Sequence, residues 1–213
     1  MLGGFNPPIF QPAWMGAEGL LRAGDVKTAA IEIIHAEVAV FSTEWFRCEV
    51  TRDRFSLQTS QESHYEPLRD LLCGIFTTLS HTPTRMCGVN HSQVLQFPDR
   101  NSFDAFGWYL VPPDRWTDVL ERPGVARLDE QGVRPDGREG WVRVRVEPVL
   151  DGTFRVVTEV NDHFTFTTAK PLADEPEATG RMVATLLEDW GPIAERAAKV
   201  FDRVDAMILA STQ

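Results

Sequence analysis

Cysteine is scarce in this chain of 213 residues: Cys48, Cys73 and Cys87 are widely spaced and set in apolar patterns. An odd, scattered set of this kind supports neither a disulfide frame nor a zinc site, and reads as reduced core thiols of a cytoplasmic protein. Long hydrophobic runs are missing as well. No stretch approaches the ~20 apolar residues of a membrane span, so no integral membrane protein is expected. The opening MLGGFNPPIF has no basic start and no continuous apolar run, which reads against a signal peptide. Positive charge is in deficit, with 21 basic residues against 31 acidic ones and a formal net charge of −10. Unspecific nucleic-acid binding draws its affinity from phosphate neutralisation. The densest basic cluster here is Arg143 with Arg145, so nucleic acid is not an expected partner.

Signatures of catalysis are also lacking. There is no Gly-x-Ser-x-Gly elbow and no Gly-rich phosphate loop between a strand and a helix. His35-x-Glu37, Glu62-x-His64 and Asn161-Asp162-His163 bring polar groups close together, but none has the ligand spacing of a metal site. Cys87 and His91 would share a strand face at a separation of ~13 Å, given ~3.3 Å per residue, too far for a thiolate–imidazole pair. No catalytic residue, metal or cofactor is therefore expected. The chain leans away from an enzyme, and a triad assembled from distant positions is the route to one that stays open.

What the sequence does have is packing pattern. Phe46, Cys48 and Val50 alternate with polar partners, and Phe55 with Leu57 alternate again beyond Thr51–Arg54. Together they predict a hairpin over 45–59. Leu68, Leu71, Leu72, Ile75, Phe76 and Leu79 make one helical stripe, predicting a helix over 64–81 with its cap at Ser63 or near His64. Strands follow at 29–41 and 85–97. Ser102 is placed to cap a short helix carrying Phe103, Phe106 and Leu110. The turn-rich stretch 121–140 reads as a protrusion around a short strand at 125–130. A closing helix over 178–209 carries Val183, Leu186, Leu187, Trp190, Ala194, Ala197, Phe201, Val204 and Ile208, with a kink at Gly191-Pro192.

The second hairpin, 141–166, allows a finer expectation. A two-residue turn at Asp151-Gly152 would set Val144 against Glu159, apolar against polar. One residue of slip flips every side chain, so the connection should hold an extra residue near Pro148. The polar face of this hairpin, with Arg143, Arg145 and Glu147 across from Glu159, Asn161 and His163, is the best constellation in the chain. Arg143, Arg145 and His163 are the candidate ligand-binding residues, suited to a small anion or polar ligand. A solvated face of cross-strand ion pairs is the plainer reading.

The segment WFRCEVTRDRFSLQTSQESHYEPLRDLLCGIFTTLSHTPTRMCGVNHSQVLQF resembles the core block of a sporadically distributed bacterial family that is functionally uncharacterised. The likeness rests on the strand pair, helix and strand, the Gly88-Val89-Asn90 step and the closing helix. It transfers no site residue. Patchy distribution of that kind implies a mobile or conflict setting, phage defence among them.

The expected fold is α+β: a largely antiparallel mixed sheet from 29–41, 45–59, 85–97 and 141–166, packed against helix 64–81 and a long kinked helix 178–209. Residues 1–25, broken by Pro7, Pro8 and Pro12, are expected as an extended amino-terminal arm, with 26–213 as one domain. The arm either docks on its own domain or clasps a partner through Phe10, Trp14 and Met15. The expected function is a non-catalytic component of a bacterial multiprotein system, working by protein contacts or self-association through the arm or a sheet edge. The alternative is a small-ligand-binding or hydrolytic domain using the 141–166 face.

Overall fold

The alternating and helical patterns resolve, in the computed structural model, into an α+β fold whose strands form two antiparallel sheets. The structure describes residues 1–167 and 177–211. Contacts divide the chain into two compact units, Met1–Cys87 with Phe164–Trp190, and Gly88–His163 with Gly191–Gln213.

In the first unit, β2 (Ala30–Ile34), β3 (Val38–Ser42), β4 (Arg47–Thr51) and β5 (Phe55–Gln58) form a sheet in that order. The run 29–41 is thus a hairpin and not one strand. His35 and Val38 exchange backbone bonds at 2.7 and 3.3 Å across its turn, so His35 and Glu37 flank a bend instead of sharing a strand face. The 45–59 hairpin forms as its alternation predicts, and Cys48, Val50 and Phe55 are buried on one face. Helix α3 (Tyr65–Thr78) contributes Leu71, Cys73, Ile75 and Phe76 to the core. It begins after a 3-10 turn at Glu62–His64 with no side-chain cap, so the expected capping box does not form.

The amino-terminal residues are not an extended arm. They make β1 (Leu2–Gly3), a 3-10 turn at Pro7–Ile9, α1 (Pro12–Ala17) and α2 (Ala23–Thr28). Pro7 and Pro12 sit in the first turn of their helices, where the missing N–H has no partner to lose. Phe5, Phe10, Phe55 and Phe76 then close a nest of rings with centroids 5.1–6.3 Å apart. The prolines start helices that fold this segment onto its own core.

The other sheet has the order β1-β6-β9-β8-β7, with β6 (Thr84–Gln96), β7 (Leu128–Val133), β8 (Gly140–Pro148) and β9 (Arg155–Thr165). Strand β7 lies inside the stretch 121–140, which therefore supplies a sheet edge as well as loops. Helix α4 (Arg100–Leu110) is capped by Asp99 and not by Ser102: the Asp99 carboxylate accepts the Ser102 N–H at 2.8 Å. Phe97, Phe106, Val146, Val156 and Val204 form the core of the second unit. The β8–β9 connection spans 149–154, and Val149 N–H donates to the Arg155 carbonyl at 2.9 Å. Counting back from that bond sets Val144 against Val160 and Arg145 against Glu159. The extra residue that the pattern demanded is there.

Helix α5 (Glu177–Ser211) is continuous through Pro192. Its buried stripe is rotated from the expected one: Ala178, Met182, Leu186, Ile193, Ala197 and Val204 are inside, while Leu187 is 53% exposed and Ala194 is exposed.

Candidate functional site

The polar face of the five-stranded sheet carries the residues singled out by sequence. Alternation along β8 puts Trp141, Arg143 and Arg145 on one side, facing Asp129 of β7 and Glu159 and His163 of β9. Arg145 Nε lies 3.1 Å from Asp129 Oδ1, and its Nη1 lies 3.9 Å from Glu159 Oε1. Arg143 Nε is 3.9 Å from the same Asp129 oxygen, and its guanidinium lies over the Trp141 ring, 5.2 Å from the centroid. Trp141 also stacks on His163 at 4.4 Å with the rings 7° from parallel. Burial disfavours the Asp129 charge, yet Arg145, Arg127 and Arg143 hold its carboxyl below the usual range. Burial pushes the His163 imidazole down, and the cations Arg134 and Arg143 push it further. Arg143, Arg145 and His163 thus share a face without converging on a point. Arg145 is taken up by Asp129 and Glu159, and Arg143 and His163 each lie against Trp141.

Behind this face is a cluster that the sequence reading missed. The β7–β8 turn places Arg134 and Asp136, β9 places Asp162, and α5 places Arg196. Arg134 Nη1 is 3.1 Å from Asp162 Oδ1 and its Nη2 is 2.5 Å from Asp136 Oδ2. Arg196 closes the ring, with Nε 2.9 Å from Asp162 and Nη2 3.0 Å from Asp136. The side chains of Arg134 and Asp162 are both 0% exposed. Burial lifts the Asp162 carboxyl above its ordinary value, while the Arg196 and Arg134 guanidiniums draw it back. Two cations and two anions cancel, so the cluster fastens turn, strand and helix together and offers no net charge to a ligand. Its sequence signal was parity. Asp162 falls on the face of Val156, Thr158 and Val160, where a charge has to be paired.

Of the arm residues, Phe10 and Met15 are buried at 1% and 0%, and Trp14, half-buried, packs its ring 6.2 Å from Phe10. All three cysteines are buried free thiols, and burial pushes Cys48 up to about 12 and Cys73 up to about 11. Among the described residues no group of three or more His, Cys, Asp or Glu is placed to hold a metal ion. An open groove of about 360 Å³, lined by Ile9, Phe10, Leu79, His81 and Pro83 among others, holds no carboxylate, thiol or guanidinium.

The remaining feature is β2, the first strand of the four-stranded sheet. Register sets Ile31 in the row of Phe41, Cys48 and Leu57, and Ile33 in the row of Val40, Glu49 and Ser56. The two isoleucines therefore point to opposite faces across a bulge, and they are 57% and 44% exposed. Comparison with family models, with curated proteins and with solved structures finds no match.

Proposed function

We propose that this chain is a non-catalytic component of a bacterial multiprotein system, working through protein contacts made at the β2 edge. One observation carries the reading: β2 is an edge strand with a large aliphatic side chain exposed on each face. An edge strand leaves one row of backbone donors and acceptors unpaired, and soluble proteins usually blunt such an edge with charge, proline or a bulge. Here the bulge is present, but the one charge, Glu32, is turned back onto Arg47. An added strand would pair the backbone and cover both isoleucines. Arg47 and Arg52 are neutralised by Glu32 and Glu37, which leaves Glu44 and Glu49 exposed in a chain of net charge −10. The matching occupant is an extended, basic segment of a partner protein. The arm residues Phe10 and Met15 serve the core, so the contact surface moves from the arm to the sheet edge. A phage-defence or other conflict setting rests on the resemblance of the Trp45–Phe97 block alone. The ligand-binding or hydrolytic alternative has little support, because Arg145 is already paired and Arg143 is stacked.

The test is co-expression with the products of neighbouring genes and native mass measurement of the purified assembly, for the wild type and for the double variant Ile31→Lys/Ile33→Lys. The wild type is expected to carry a partner, and the double variant to run as the free chain with an unchanged circular-dichroism spectrum. A double variant that keeps its partner would sink the edge reading. A wild type that is always alone would sink the multiprotein reading.

A further inference from the structure

Strand β9 buries four consecutive even positions within the second unit: Val156, Thr158, Val160 and Asp162 are all 4% exposed or less. This is the face toward α5, since Val156 shares a core cluster with Val204 and Asp162 meets Arg196. The facing residues of β6 follow from two contacts. Phe97 N–H donates to the Phe154 carbonyl at 2.8 Å, and the Asn161 amide donates to the Asn90 side chain. Both give the same antiparallel count, which sets Gln93 opposite Thr158 and His91 opposite Val160. Directly opposed side chains start ~5 Å apart at Cβ, so Gln93 and Thr158 point inward side by side.

Among the described residues, neither Thr158 Oγ1 nor Gln93 Oε1 meets a hydrogen-bond partner, although both atoms are buried; nor does Asp162 Oδ2, further along the same face. Thr158 is 0% exposed. Buried polar atoms in folded proteins nearly always have a partner, and one buried water with 2–4 polar neighbours is the common means where the protein gives none. Chemistry favours the same occupant. Gln93 Oε1 only accepts, whereas water donates to it and accepts the Thr158 hydroxyl proton. Two neutral oxygens are too few ligands for a hard cation, and the Gln93 acceptor repels an anion.

We propose that Gln93 and Thr158 line a buried water site between the inner face of β6–β9 and α5. The site is built into the second unit and is separate from the β2 edge. A crystal structure fine enough to place water, together with thermal melts of Thr158→Val and Gln93→Leu, tests it. The expected result is density within hydrogen-bonding distance of both Thr158 Oγ1 and Gln93 Oε1. Each single variant should lower Tm by about 2–4 °C, and the double variant by less than the sum, because both lose one shared bridge. Absence of that density overturns the proposal. So does a Thr158→Val variant that melts higher than the wild type, because removing a hydroxyl from a dry apolar site relieves a cost.

Discussion

Arg134 and Asp162 carry fully buried charged side chains, Asp162 on the same strand face as the core residue Val156, and their position decides what they can do. Burying an ion pair costs several kcal/mol of hydration per ion. What makes this one tolerable is that each group has two opposite charges and not one. Removing a single member leaves the remaining charges short of a partner. Arg134→Met should therefore destabilise the protein by about 3–5 kcal/mol in a denaturant titration, with Asp162 and Asp136 left to share Arg196. A loss below about 1 kcal/mol, the range of an exposed pair, would show that the cluster is solvated in solution. The three thiols show the same control by environment, since burial keeps Cys48 and Cys73 protonated and unsuited to nucleophilic work.

Elements end where side chains satisfy the backbone. The β8–β9 connection is held by Asp151, which accepts the Thr153 N–H at 3.0 Å, the Thr153 hydroxyl and the Arg155 guanidinium. Gly152, at φ +78°, supplies the left-handed turn beside it. The Thr153 and Arg155 bonds pull the Asp151 carboxyl from its ordinary 3.8 to about 2. Because the folded value is the lower one, the contribution is complete above about pH 4 and lost as pH falls through about 2. Protection of the Thr153 amide, its exchange rate relative to the intrinsic rate at each pH, should fall across that window, and an Asp151→Asn variant should show low protection throughout. Equal protection in variant and wild type above about pH 4 would show that the carboxylate does not hold the turn.

The molecule as a whole carries a net charge of −10, with its arginines largely spent on internal pairs: Arg47, Arg52, Arg134, Arg145, Arg155 and Arg196 each face a carboxylate. The protein is expected to pass a duplex-DNA column unretained at physiological salt, and retention that weakens with added salt would overturn that expectation. No helix among the described residues is long and apolar enough to cross a membrane.

Local periodicity was legible from the sequence alone because it depends on near neighbours. The alternation of 45–59, the stripe of α3, the odd connection near Pro148 and the α+β class all follow from side-chain period and turn chemistry. Long-range partition was not legible. The run 29–41 has β-branched residues on both parities, so only tertiary structure could split it into a hairpin and leave β2 as an edge. Prolines in the opening segment signal broken backbone equally well whether they start helices or extend an arm. The deciding fact was the Phe5–Phe10–Phe55–Phe76 nest, whose members lie up to 71 residues apart. The rotation of the α5 stripe and the Arg134–Asp136–Asp162–Arg196 ring have the same cause. Which face of an amphipathic helix is buried, and which charges meet, depends on the surface it packs against. Sequence determined the elements of this protein, and tertiary packing decided which of its charges and edges are left for anything else to bind.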